Sequence, residues 1–133
     1  MEEQLEIIDP QSLGRSPVHL SQAIATRDLV FVSGQVAFDE TGQLVGQGDV
    51  EAQTRQVMSR VETALREAGS GLDQVVATTV YLKNTSDFAA FDKAWSEIFG
   101  DHRPTRATVS AGMVSPDFLV EVQAIAVRPA PTV

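Results

Sequence analysis

The hydrophobic positions change period along the chain, and each change marks an element. Residues 29–36 open on Leu29-Val30-Phe31-Val32, a β-branched and aromatic run with the density of a buried strand, and continue through Ser33-Gly34-Gln35-Val36. A glycine inside such a run marks a bulge or a place where another chain segment or a ligand comes close. Upstream, Leu5, Ile7 and Ile8 alternate loosely before the turn-forming Asp9-Pro10, which gives a short first strand. Residues 14–17 read as a loop, 19–25 as a second strand, and Thr26-Arg27-Asp28 as the turn that follows it. After a turn at Asp39-Glu40-Thr41-Gly42, the period lengthens to that of a helix. Val50, Val57, Met58, Val61, Ala64, Leu65 and Ala68 fall close to a 3.6-residue repeat, with Asp49 placed to cap the start and Gly69 to stop the end.

Val75-Val76-Ala77-Thr78-Thr79-Val80-Tyr81-Leu82 has apolar or β-branched residues on both alternating sets, which predicts a central strand buried on both faces. Ser86 is placed to cap a second helix carrying Phe88, Phe91, Trp95, Ile98 and Phe99 on one stripe and ending at Gly100. This aromatic stripe reads as core. Two last strands, 105–112 and 118–127, flank a turn at Ser115-Pro116-Asp117 and predict a hairpin, and the Pro-rich tail after Arg128 is expected to fray. The order strands, helix, strand, helix, strand, strand predicts a single α+β domain over residues 1–133, with both helices on one face of a mixed sheet. Two helices cover only one face. A central strand apolar on both faces therefore predicts self-association through the other.

Composition narrows the function classes. No stretch approaches the roughly 18 consecutive apolar residues of a membrane span, and Met1-Glu2-Glu3-Gln4 is acidic where a secretory signal is basic, so a cytoplasmic location without membrane attachment is expected. The absence of cysteine excludes disulfides, thiolate nucleophiles and cysteine-ligated metals. A formal net charge of −8 disfavours nucleic-acid binding, and the densest cationic segment, His102-Arg103-Pro104-Thr105-Arg106, is a weak footprint for it. A small anion held by one buried arginine remains compatible with that charge.

The last two strands hold the residues most suggestive of chemistry. In residues 118–127, Val120, Val122, Ala124 and Ala126 share one face, while Glu121, Gln123, Ile125 and Val127 share the other; in the preceding strand, Arg106, Thr108 and Ser110 lie opposite Ala107, Val109 and Ala111. Arg106 and Glu121 are thus charges in mid-strand, where desolvation is costly unless the charge is paired or used. A hairpin turning near Pro116 sets Arg106 across from roughly Ile125, with Glu121 on the same face about 13 Å further along. A register slip, a bulge or a neighbouring subunit could bring the two together. A structural salt bridge, or two exposed edge charges, explains the same residues without a reaction.

Arg103-Pro104-Thr105-Arg106-Ala107-Thr108-Val109 followed by Glu121-Val122-Gln123-Ala124-Ile125-Ala126 resembles the C-terminal signature of the Rid (YjgF) family. Leu20-Ser21-Gln22-Ala23, Val32-Ser33-Gly34-Gln35 and Thr78-Thr79-Val80-Tyr81-Leu82 resemble its other landmarks, in the same order and over nearly the whole chain. The resemblance implies a chorismate-mutase-like fold assembled as a homotrimer, with sites in the clefts between subunits. It further implies cofactor-free, metal-free hydrolysis of 2-aminoacrylate and related 2-imino acids to 2-oxo acids and ammonia. Arg106 would hold the substrate carboxylate in its planar fork, Glu121 would orient or deprotonate water, and backbone N–H groups near Gly34 and Thr108 would complete the grip. Ser33 can offer a hydroxyl.

The chain departs from the family's deaminase pattern at three positions. Leu20 stands for a tyrosine and removes a phenol hydroxyl; Thr108 stands for a cysteine and keeps a backbone donor; Asp92 stands for an asparagine and adds negative charge, unless it is simply a solvated helix residue. Of the two histidines, His19 lies beside Leu20 and is the better placed to touch a ligand, whereas His102 belongs to the loop before Pro104; neither has a metal partner at a recognisable spacing. Two other functions compete with the deaminase: a non-catalytic trimer that binds or senses a small carboxylate, favoured by Leu20 and Asp92, and an endoribonuclease or translation inhibitor, disfavoured by the net charge.

Overall fold

Asp49 starts the longer helix as its sequence position predicts. Its backbone is extended and its Oδ1 accepts from the Ala52 N–H at 3.1 Å, satisfying one of the donors a helix start leaves open. At the other end Gly69 takes a positive φ of 80°, and the Ser70 N–H reaches back to the Leu65 carbonyl at 2.8 Å, closing the helix. A computed structural model describes residues 4–14 and 16–131, and in it the chain forms a mixed α+β domain. Its elements are β1 (Glu6–Ile8), β2 (Ala23–Ala25), β3 (Leu29–Gln35), α1 (Val50–Glu67), β4 (Val75–Leu82), α2 (Phe88–Phe99), β5 (Thr105–Ser110) and β6 (Val120–Val127). The expectations placed on Met1-Glu2-Glu3 and on the end of the tail lie in part outside the described residues.

The strands form one six-stranded sheet in the order β1-β2-β3-β6-β4-β5. All neighbours are antiparallel except β4 and β5, which are parallel because the chain crosses over through α2 between them. This corrects the predicted hairpin. β6 inserts between β3 and β4, and β5 lies on the outer edge with Thr78 opposite Arg106 and Val80 opposite Thr108. Composition explains the exchange: Thr105-Arg106-Ala107-Thr108-Val109-Ser110 has no fully buried residue, whereas Val120, Val122, Ala124 and Ala126 of β6 are all buried. The apolar strand takes the interior of the sheet, and the polar one takes the edge.

Both helices pack on one sheet face. Between them and the sheet lies a core that includes Val30, Val32, Val57, Met58, Val61, Leu65, Val75, Val80, Phe91, Val120 and Val122, all with almost no exposed surface. Each large aliphatic side chain buried in this way contributes about 1.5–3 kcal/mol. The aromatic stripe of α2 joins this core through Phe91, Trp95 and Phe99, whose rings pack at a tilt of 43° with centroid distances of 5.3 and 4.8 Å.

Two further expectations are corrected. Ser86 does not cap α2; it lies in a 3-10 turn, Thr85–Asp87, whose tighter i→i+3 bonding leads the chain into a helix beginning at Phe88. Nor does the single chain by itself bury β4 on both faces: Thr78, Val80 and Leu82 are covered on the helix side, while Val76 is exposed and Ala77, Thr79 and Tyr81 are half-buried. In the single chain the second face of the sheet is open, and Phe31, Tyr81, Ile125 and Val109 lie on it.

Candidate functional site

Because β5 is parallel to β4 at the sheet edge, its alternation sends Arg106 and Thr108 toward the helix layer. Arg106 meets α2 there. Its Nη1 donates to Asp92 Oδ1 at 2.9 Å, and its guanidinium carbon lies 5.3 Å from the Phe91 ring centroid, 5.5 Å from Trp95 and 5.6 Å from Phe88. Three rings around one cation hold it by their negative faces, each contact adding about 0.5–1 kcal/mol at such a partly open position. The Arg106 side chain is 22% exposed and that of Asp92 43%, so the cation lies deeper than the anion and the pair itself adds little stability. They line a cleft of about 520 Å³ together with Trp95, Ser96, His102 and Arg103. His102 is anchored at its side by a 2.7 Å hydrogen bond between Nε2 and the Val75 carbonyl. Thr108 follows two residues along β5 on the same face and is half-buried.

Glu121 lies on the other side of the sheet. It faces Tyr81 across β6 and β4, on the open face, half-buried, and its carboxylate makes no hydrogen bond or ion pair with another described residue. Burial without a compensating donor disfavours the charged form and pushes its carboxyl above the ordinary glutamate range. The expected placement of Arg106 and Glu121 on one face of one hairpin is therefore corrected: within a chain β4 separates their strands and they project to opposite faces.

Gly34 explains how Glu121 is accommodated. A methyl group there would collide with Glu121 Oε2 and stand 3.0 Å from its Cδ and 3.3 Å from its Cγ, so the carboxylate occupies the space a side chain would take. The strand is irregular at this point, since Val32 pairs with Ala124 but Gln35 with Val122, and Ser33 and Gly34 together oppose Gln123. A buried polar network supports the irregularity. Gln35 Nε2 donates to Gln22 Oε1 at 2.9 Å and to the Ser33 carbonyl at 3.2 Å, while Arg60 Nε donates to Gln35 Oε1 at 2.9 Å and its Nη1 to the Phe38 carbonyl at 3.2 Å. Ser33 Oγ donates to the Ser21 carbonyl at 2.6 Å, which ties the strand to the loop carrying His19 and Leu20. Leu20 is exposed and lines a shallow depression in that loop with His19.

The residues singled out from the sequence thus fall into two groups. Arg106, Asp92 and Thr108 form one on the helix side of the edge strand; Ser33, Gly34 and Glu121, with Leu20 on the adjoining loop, form the other. Sequence reasoning missed Arg60, whose only signal was a cation on the apolar stripe of a helix. It also missed the aromatic surround of Arg106, because the stripe of α2 serves the core and the arginine together. Among the described residues, no three His, Asp or Glu side chains converge as a metal site, and no helix is long and apolar enough to cross a membrane.

Residues 14–128 match the family model described as endoribonuclease L-PSP. A RutC family protein of Pyrococcus abyssi is 42% identical over 109 residues, covering 81% of this chain and 85% of that protein. The 3-aminoacrylate deaminase RutC of Acinetobacter baylyi is 35% identical over 123 residues, or 91% of this chain and 96% of the relative. Among solved structures, E. coli TdcF with bound serine superposes with a TM-score of 0.86 at 28% identity, over 93% of this chain and 99% of its own. A family model spanning most of the chain, relatives of matching length and a solved structure that superposes over nearly all of it lead to a single conclusion: the chain belongs to the Rid (YjgF) family.

Proposed function

We propose that the chain is a cofactor-independent deaminase that hydrolyses reactive 2-enamine and 2-imino acids of the 2-aminoacrylate type to 2-oxo acids and ammonia. The observation that carries this reading is Arg106: a guanidinium three-quarters buried, held by three aromatic rings, and facing a cleft large enough for a compact carboxylate. An arginine in a site of restricted solvent grips a carboxylate through charge-assisted bonds and fixes the adjacent C2 carbon. The related deaminase from Acinetobacter baylyi acts, by its name, on 3-aminoacrylate, an enamine of the same kind.

Glu121 is the group that handles water. Its carboxyl is held closer to neutrality than an ordinary glutamate, which suits proton transfer to and from an attacking water. Because Arg106 and Glu121 point to opposite faces of one chain, the complete site requires Glu121 of a neighbouring copy, and a homotrimer with sites between subunits meets that requirement. Phe31, Tyr81 and Ile125 on the open sheet face supply an apolar surface for such contact. Thr108 and Gly34 contribute backbone N–H groups, Ser33 a hydroxyl, and Leu20 an apolar wall.

The test is release of ammonia from 2-iminopropionate or 2-aminoacrylate generated in a coupled assay. Arg106→Ala is expected to lower kcat/KM by about a hundredfold or more, the value of a lost charge-assisted contact to substrate. Equal slow rates in both proteins would refute catalysis. The separation of Arg106 from Glu121 in the single chain favours a second reading, a protein that binds or senses a small carboxylate without converting it. Binding of pyruvate without turnover of any imine would support that alternative. Binding of RNA, suggested by the description of the family model, has the net charge of −8 against it.

A further inference from the structure

Asp92 holds Arg106 through one bond only. A guanidinium has five N–H donors, and the single Nη1–Oδ1 contact of 2.9 Å leaves its other donors for a second carboxylate. Asp92 in turn accepts from Arg106 through Oδ1 and is the more exposed of the two residues that line the cleft. A fixed cation beside a fixed anion, one deep and one shallow, is complementary to a ligand that carries both signs on adjacent atoms. Arg103 on the rim adds a second positive charge, so the lining of Asp92, Arg103 and Arg106 keeps a net attraction for an incoming carboxylate.

We infer that Asp92 and Arg106 form a zwitterion-recognition pair, with Arg106 taking the ligand carboxylate and Asp92 the cationic nitrogen on the neighbouring carbon. This rests on the deaminase reading of the site and names the form of substrate it accepts: the protonated 2-iminium acid, R–C(=NH2+)–COO−. The iminium is also the form that water attacks. Water adds to C2 as the C=N π pair moves to nitrogen, and a proton passes from the added oxygen to that nitrogen. The C–N bond of the resulting carbinolamine then breaks, and ammonia leaves with the hydroxyl proton as ammonium while C2 becomes the carbonyl of the 2-oxo acid. Asp92 faces positive charge on the substrate nitrogen at the start of this sequence, and once ammonium has left only Arg106 remains beside it. The 2-oxo acid product keeps the carboxylate, loses the cation, and meets Asp92 as a repulsive neighbour, which favours its release. Asp92 is on this account a specificity-determining residue.

The experiment compares two stable probes on the intact protein at neutral pH, L-serine as the zwitterion and pyruvate as the plain anion, by calorimetric or NMR titration of wild type and Asp92→Asn. The variant keeps the size of the side chain at a partly exposed position. Wild type is expected to favour serine, and the variant to bind serine about fivefold more weakly and pyruvate about fivefold more tightly, the scale of one partly exposed ion pair gained or lost. Opposite movement of the two ligands is the signature. Changes of the same sign and size for both, no change in either, or no binding of serine to wild type would overturn the inference. Ammonia release is measured separately: a protein that shows the opposite shifts but no turnover keeps the zwitterion pair and loses the deaminase reading, whereas turnover without the shifts does the reverse.

Discussion

Gly34 and Glu121 form a steric pair, since the carboxylate occupies the place where any larger residue would carry its Cβ. The glycine inside an apolar strand was legible as a point of close approach; its occupant was not, because the register that brings residue 121 to residue 34 is set by the whole sheet. The burial that raises the Glu121 pKa has a consequence for stability. A carboxyl with a folded pKa above its unfolded value contributes fully below the unfolded pKa, and that contribution is lost as pH rises through the folded value. Glu121→Gln, which cannot ionise, is therefore expected to match wild type in Tm at acidic pH and to exceed it by a few degrees at neutral pH, a small difference because the group is only half-buried. A wild type more stable at neutral pH would show that the ionised carboxylate has a partner. In the deaminase assay the same variant should lose turnover while keeping its affinity for pyruvate, because the carboxylate grip belongs to Arg106.

At the scale of elements, the long helix was legible nearly residue by residue, because Asp49, Gly69 and a 3.6-residue repeat are local signals. Pairing of strands is not local. Nothing between Ser110 and Val120 states that the chain leaves the edge of the sheet and returns to its centre, and the turn residues at 115–117 suit either path. The available clue was composition: four buried apolar residues on one face of β6 against none fully buried in β5. The network joining Arg60, Gln35 and Gln22 was equally hidden, since polar residues at core positions reveal their partners only in space. It places a buried cation among neutral acceptors, so every bond in it matters. Gln35→Leu keeps the volume but leaves Arg60 Nε without its glutamine acceptor and Gln22 Oε1 without its donor. A loss of about 2–4 kcal/mol in urea unfolding is expected, and a loss below the resolution of the measurement would mean that the two groups find other partners.

For the molecule as a whole, the sequence indicated that one sheet face lacks a cover, although it placed the evidence on β4 alone. The open face in fact spans four strands, with Phe31, Ile125, Tyr81 and Val109 distributed across it. If copies of the chain associate through this surface, a charge at its centre should disperse them. Ile125→Glu is expected to convert the assembly to monomers in analytical ultracentrifugation and to abolish imine hydrolysis while leaving the helical circular dichroism signal unchanged; an assembly that survives the substitution would place the contact elsewhere.

The irregularity between Val32 and Gln35 bears on how this sheet tolerates changes in chain length. Removing one residue from an ordinary strand turns every following side chain inside out, exchanging core for solvent. Here two residues do the work of one, and Val32 and Gln35 both point inward across the surplus. Excising either Ser33 or Gly34 would straighten the strand and leave every neighbour facing as before, and the step between Val75 and Ala77 offers the same allowance on β4. The sheet therefore has two places where the loss of a single amino acid keeps its alternation intact, at the cost, in the first, of the hollow that receives the acid.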